Sequence, residues 1–173
     1  KIIKPKFIID NTKILKYSKK QNQEMVNNDH VGLILFTSGT TGAPKGIRLS
    51  KNSYLNLAKS FGDLANYAGN TTIYHCLPMH YNAGILNTFL AGLLKGSTIL
   101  LGSKVNSMNI LSLPSELSKH LISTIHLTPE IANGLCNVNT SKKEREAIQK
   151  IASIICTGSY LHEVTREKFE QKY

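Results

Sequence analysis

Residues 31–36, VGLILF, form a short apolar run broken only by Gly32, and they deliver the backbone into TSGTTGAPKG, residues 37–46. A run of that length ended by a turn cluster predicts a buried strand rather than an amphipathic helix. The chain is thereby confined to folds in which a strand end presents an open-backboned loop. That loop holds three threonines, one serine and three glycines, so hydroxyl donors and unobstructed backbone N–H groups occur together as a concave donor surface for an anion. Pro44 stiffens the turn and lacks a donor of its own, while Lys45 adds a mobile point charge. The ligand this chemistry favours is a polyphosphate. A Walker loop fits poorly. Counting from Gly39, Pro44 stands where the second glycine belongs, and Gly46 stands where the magnesium-binding hydroxyl belongs. A flexible Gly/Ser/Thr surface loop is the plain alternative, disfavoured by the Pro-Lys-Gly ending and the apolar strand before it.

The rest of the chain reads as scaffold. Ile47-Arg48-Leu49 is a short strand, and Ser50 caps a helix whose apolar side is Tyr54, Leu57, Ala58, Phe61, Leu64 and Ala65, ending at Gly69-Asn70. A strand over residues 72–77 stops at Pro78, and an apolar helix (85–94) and a strand (97–101) follow. Pro114-Ser115-Glu116 opens a short amphipathic helix, and residues 122–127 form another strand. Thr128-Pro129-Glu130 is a capped helix start with proline in first position. Residues 141–150 read as a charged surface helix and 151–156 as a buried strand. Thr157-Gly158-Ser159 makes a small-residue turn, and an amphipathic helix begins near His162. The alternation predicts an α/β fold, a layered sheet of mainly parallel strands with flanking helices. One partial domain over residues 1–173 is expected, with 1–30 a lysine-rich lead-in and 31–173 the core.

The net charge of +10 invites a nucleic-acid reading, but residues 1–20 alone hold seven lysines against the single Asp10, and no tryptophan occurs. No helix-turn-helix, zinc-finger or aromatic stacking pattern accompanies that excess, so a solvated lysine-rich face is expected rather than a nucleic-acid site. The apolar runs are too short to span a bilayer and the start is not a signal peptide, so a cytoplasmic chain is expected. Cys76, Cys136 and Cys156 are widely spaced in apolar neighbourhoods and read as reduced core thiols. His75, Cys76 and His80 lack a fourth ligand or a zinc spacing, so no metal site is expected there. His126, alone in an apolar strand, reads as a satisfied core histidine.

The string TSGTTGAPKG resembles, residue for residue, the phosphate-binding signature of the adenylate-forming (AMP-binding) enzymes, which include acyl-CoA synthetases, aryl-CoA ligases, luciferases and peptide-synthetase adenylation domains. The resemblance runs from about Leu33 to the last residue. It implies part of that family's large N-terminal domain, with Thr37, Ser38, Thr40, Thr41 and Lys45 holding the β- and γ-phosphates of ATP and Gly39, Gly42 and Gly46 letting the loop close. The family's next motif reads proline, apolar, aromatic, histidine, two variable residues, glycine. Here it is PMHYNAG, residues 78–84, with His80 in the aromatic place and Tyr81 in the histidine place. The resemblance implies that this pair lines the pocket, and the exchange leaves a catalytic role for His80 unsupported. Gly158 and Ser159 match the turn that borders the adenine.

The implied reaction joins a carboxylate to AMP from ATP, with release of pyrophosphate, and passes the acyl group to the thiol of CoA or of a carrier's phosphopantetheine. Mg2+ is expected to arrive with ATP. The family's Tyr-Gly-x-Thr-Glu segment, ribose-binding aspartate and catalytic lysine match nothing in this sequence. A central fragment of a larger ligase is therefore expected, inactive by itself. The alternative is a nucleotide-binding module without catalysis.

Overall fold

The computed structural model describes residues 7–10, 13–16, 31–37, 45–103, 105–106 and 108–173. Strands β1 (Phe7–Asp10) and β2 (Lys13–Lys16) pair antiparallel, as do β3 (Val31–Thr37) and β4 (Lys45–Ser50). The remaining strands are β5 (Thr72–His75), β6 (Thr98–Leu101), β7 (Thr124–Leu127) and β8 (Ser153–Cys156). They form one parallel sheet in the order β6-β5-β7-β8. Residues alternate between its faces. Ile73 and Ile155 point to one side, against Tyr54 and Ala58 of α1 (Lys51–Leu64), Leu86 of a π-helical segment (Ala83–Leu90) and Ala91 of its continuation α2 (Ala91–Leu94). Tyr74, Cys76, Ile125 and Leu127 point to the other. They pack there on α3 (Leu113–Leu117), α4 (Pro129–Asn137) and α5 (Lys142–Gln149), while Phe169 of α6 (Glu163–Lys172) closes that layer. The α/β reading holds, and the fold is a helix–sheet–helix sandwich.

Local chemistry sets the boundaries. The Ser50 hydroxyl accepts from the Ser53 N–H at 3.1 Å, the Thr128 hydroxyl accepts from Ile131, and Ser141 with Glu144 closes a reciprocal capping box. Helix α1 stops earlier than the expected Gly69-Asn70. Asn66 adopts φ +54°, its N–H bonds to the Asp63 carbonyl, and the Tyr67 N–H reaches back to Gly62 at 2.8 Å, which together make a Schellman turn. The buried stripe of α1 is Tyr54, Ala58 and Gly62, whereas Leu57 and Leu64 are exposed. The Lys95 stem lies where a methyl on Gly62 would stand, so the stripe is narrower than the apolar spacing suggests.

Residues 31–36 form the expected strand but without the expected burial. Strand β3 is not a buried member of the parallel sheet. Phe36 faces Gly46 and Thr37 faces Lys45 in the hairpin, Leu33 to Leu35 are half-buried, and Phe36 is 62% exposed. Only seven residues separate the two strands, so β4 reaches β3 at little loop-closure cost. Leu33 and Leu49 then seat the hairpin against the Tyr54–Ala58 side of the core. An apolar run states that a strand forms but not which strand pairs with it. No helix among the described residues is long and apolar enough to cross a membrane. Cys76 is buried, and Cys136 and Cys156 are half-buried, all three free.

Candidate functional site

Because β5 to β8 are parallel, their C-terminal ends open on one edge, where ligands of open α/β sheets bind. Four connections leave that edge: Pro78 to Asn82 after β5, the segment from Gly102 after β6, Thr128 after β7, and Thr157-Gly158-Ser159 after β8. A cleft of about 530 Å³ opens beside the connections after β5, β6 and β7, lined by Leu77, Pro78, His80, Tyr81, Thr128 and Glu130 together with Val105, Ile110 and Ile131.

Tyr81 is fixed by the backbone around it. Its N–H donates to the Pro78 carbonyl at 3.0 Å, and its own carbonyl accepts from Gly84 at 2.9 Å. A methyl on Gly84 would stand 2.3 Å from the Pro78 oxygen, so this tight turn into the π-helical segment requires glycine. The Tyr54 hydroxyl donates to Asn82 Oδ1 at 2.9 Å, tying α1 to the same corner. The Tyr81 hydroxyl then reaches over the turn after β8. A methyl on Gly158 would come within 2.6 Å of it, and Gly158 has φ +110°, a backbone conformation that favours glycine. Beside it, Ser159 Oγ donates to Glu130 Oε1 at 3.4 Å. Hydrogen bonds from the Thr128 hydroxyl, from the Glu130 backbone N–H and from Ser159 hold the Glu130 carboxyl below the usual carboxylate range, against a small opposing effect of burial. Its negative charge sits on the first turn of α4, where the helix dipole favours it.

Two buried histidines lie beneath these connections. His75 Nδ1 is 2.5 Å from Thr88 Oγ1, and the Thr88 hydroxyl donates to the Gly84 carbonyl at 2.7 Å. The Thr88 proton is thus committed, so His75 Nδ1 is the donor and Nε2 carries a bare lone pair. His126 Nε2 is 2.5 Å from Thr157 Oγ1, and its ring stacks on Phe61 with centroids 5.9 Å apart. His126 is fully buried, which pushes its pKa down to about 4, and burial lowers that of His75 as well. Both are neutral at pH 7. His75 Nε2 and His126 Nδ1 are buried without a hydrogen-bond partner, a state that costs about 1–3 kcal/mol per group.

The sequence-derived site residues divide cleanly. His80, Tyr81, Gly158 and Ser159 come together at the strand ends. Ser38, Gly39, Thr40, Thr41 and Gly42 lie outside the described residues, while Thr37, Lys45 and Gly46 sit on the hairpin strands that hold the loop's base. His126 is satisfied at one nitrogen only, and its alignment with His75 was not visible in the sequence. The available signal was a polar ring at or next to the end of two strands that both run into a Pro-containing turn.

The AMP-binding enzyme family matches residues 2–173, and the chain belongs to that family. Over 153 residues it is 27% identical to peroxisomal OPC-8:0-CoA ligase 1 of Arabidopsis thaliana, covering 87% of this chain and 27% of that protein. Among solved structures, ATP-bound MatB from Rhodopseudomonas palustris superposes with a TM-score of 0.68 at 21% identity, over 83% of this chain and 27% of that one. The N-terminal domain of FACL13 from Mycobacterium tuberculosis gives 0.62 at 21% identity, over 80% of this chain and 33% of that one. The chain therefore has the fold of part of an adenylate-forming enzyme's N-terminal domain and spans about a quarter of the length of the plant relative.

Proposed function

We propose that the protein carrying this chain is an ATP-dependent ligase that activates a carboxylate as an acyl-adenylate and then passes the acyl group to a thiol. The observation that carries this reading is the meeting of Tyr81 with the Gly158-Ser159 turn beside a cleft at the sheet's C-terminal edge, in a chain that also bears TSGTTGAPKG. The Arabidopsis relative's description as a CoA ligase and the ATP bound to MatB support it.

In the first step a carboxylate oxygen attacks the α-phosphorus of ATP. The new P–O bond forms as the bond to the β-phosphate's bridging oxygen breaks, and pyrophosphate leaves. In the second step a thiol sulfur, from CoA or a carrier's phosphopantetheine, attacks the acyl carbon. It gives up its proton, and AMP departs. Thr37, Ser38, Thr40, Thr41 and Lys45 hold the β- and γ-phosphates, and Gly39, Gly42 and Gly46 keep the loop's backbone open to them. Gly158 and Ser159 border the adenine, and His80 and Tyr81 line the pocket of the reacting groups. No group of three metal-ligating side chains converges among the described residues. A hydroxyl-rich loop suits phosphate rather than a metal cage, and Mg2+ would enter with ATP, held by its phosphates.

The test is ATP–pyrophosphate exchange by the full protein across a panel of fatty, aromatic and short dicarboxylic acids. Exchange that depends on one class of carboxylate is the expected result. Binding of Mg·ATP with no carboxylate-dependent exchange for any acid would leave the non-catalytic nucleotide-binding module in its place.

A further inference from the structure

A fully buried histidine needs a reason. At pH 7 the rings of His75 and His126 are neutral and closed off from water, so neither serves as an acid or base at the surface of the cleft. An apolar side chain in either position would spare the fold a buried, unpartnered nitrogen. What each ring does possess is one short hydrogen bond to a threonine, and the two threonines belong to the segments that adjoin the Tyr81 corner and the Gly158 turn. His126 lies on the same face of the sheet as Ile155, its register partner on β8. Thr157, two residues past Ile155, is on that face too, immediately before the left-handed Gly158. The His126–Thr157 bond therefore fixes the residue from which the turn departs. On β5, His75 holds Thr88, and Thr88 holds the Gly84 carbonyl in the π-helical segment that begins just after Tyr81.

We propose that His126 and His75 are positioning residues: through Thr157 and Thr88 they set the Gly158 turn and the Tyr81 corner at the separation where the Tyr81 hydroxyl rests over Gly158. The proposal rests on the adenylation reading and names the residues that make its nucleotide side rigid. Neither ring touches the reacting atoms. Each spans two neighbouring segments with a bond that a hydrophobic residue cannot make, and the buried bare nitrogen is the cost of that bond. Such an arrangement trades stability for geometry at a functional site.

The trade gives the experiment a readout that a merely structural histidine would not produce. In the full protein, His126→Leu and Thr157→Val each remove the bond while keeping the volume, and Thr157→Ser keeps the hydroxyl. For both bond-removing variants the KM for ATP in carboxylate-dependent exchange is expected to rise about tenfold, the worth of one well-placed hydrogen bond. The KM for the carboxylate should stay within about twofold, and Thr157→Ser should restore the wild-type value. The melting temperature of His126→Leu should hold or rise. Long-range ¹H–¹⁵N spectra of the imidazole should show the Nε2 resonance of His126 shifting in Thr157→Val, whether or not the protein is active. An active wild type whose ATP KM ignores both substitutions overturns the proposal. So does a His126→Leu variant that loses melting temperature and activity together, which marks the ring as packing alone. A wild type with no exchange for any carboxylate refutes the adenylation reading instead, and the imidazole spectrum still decides whether the His126–Thr157 bond exists.

Discussion

The β3–β4 hairpin and the β6-β5-β7-β8 sheet belong to one chain but are held by different physics. In the hairpin, Lys45 to Arg48 are exposed, as is Phe36, and among the described residues Leu33 and Leu49 pack against the core. In the central strands β5 and β7, nearly every residue is buried, and the two histidines are wedged among Phe61, Phe89, Thr88 and Thr157. In the proposed function the hairpin carries a phosphate loop whose chemistry lies in its own residues, and the sheet edge is a site whose chemistry lies in how distant residues meet. Substitutions in the first region should therefore alter binding and leave stability alone. Those in the second should move both, sometimes in opposite directions.

The largest expected effect tests the first half of that contrast. Ser38→Ala or Thr40→Ala should weaken pyrophosphate exchange by about 10- to 100-fold, as loss of a charge-assisted hydrogen bond to phosphate does. The melting temperature should remain within about 1 °C of wild type, because removing one hydroxyl deletes no apolar group that folding could bury. A large fall in melting temperature would erase the distinction between the two regions.

The second test uses protons. The unfolded imidazole of His126 takes its proton near 6.5, whereas the folded one resists until about 4. Between those values the unfolded state binds more protons, so stability is complete above about pH 6.5 and falls by about 3 kcal/mol as the pH drops toward 4. His75 contributes in the same direction. Urea titrations at pH 7.0 and 4.5 measure the slope. His126→Leu should flatten it, and an unchanged slope would place the acid sensitivity elsewhere.

Gly84→Ala comes next. Its methyl would meet the Pro78 carbonyl at 2.3 Å, a backbone atom with no side chain to yield, so a loss of about 1–3 kcal/mol is expected together with impaired exchange. The smallest effect belongs to the surface. Ser141→Ala breaks the capping box of α5 far from the cleft and should cost about 1 kcal/mol with exchange kinetics untouched. Impaired catalysis in that variant would mean that the α5 layer communicates with the site.

Much of this was readable in the residues themselves. Thr128-Pro129 and Ser141 declare helix starts, and apolar runs ended by turns declare strands, because each of these signals is local and acts within a few bonds. Tertiary structure decided the rest. It paired β3 with β4 rather than with the parallel sheet, ended α1 at Leu64 ahead of the Asn66 turn, and left Leu64 in solvent. It also carried the Tyr81 hydroxyl to Gly158 and the His126 ring to Thr157, partners that lie 77 and 31 residues apart. Such contacts depend on strand order and register, and these follow from how whole layers bury their apolar faces against each other, a property that no short stretch of sequence carries by itself.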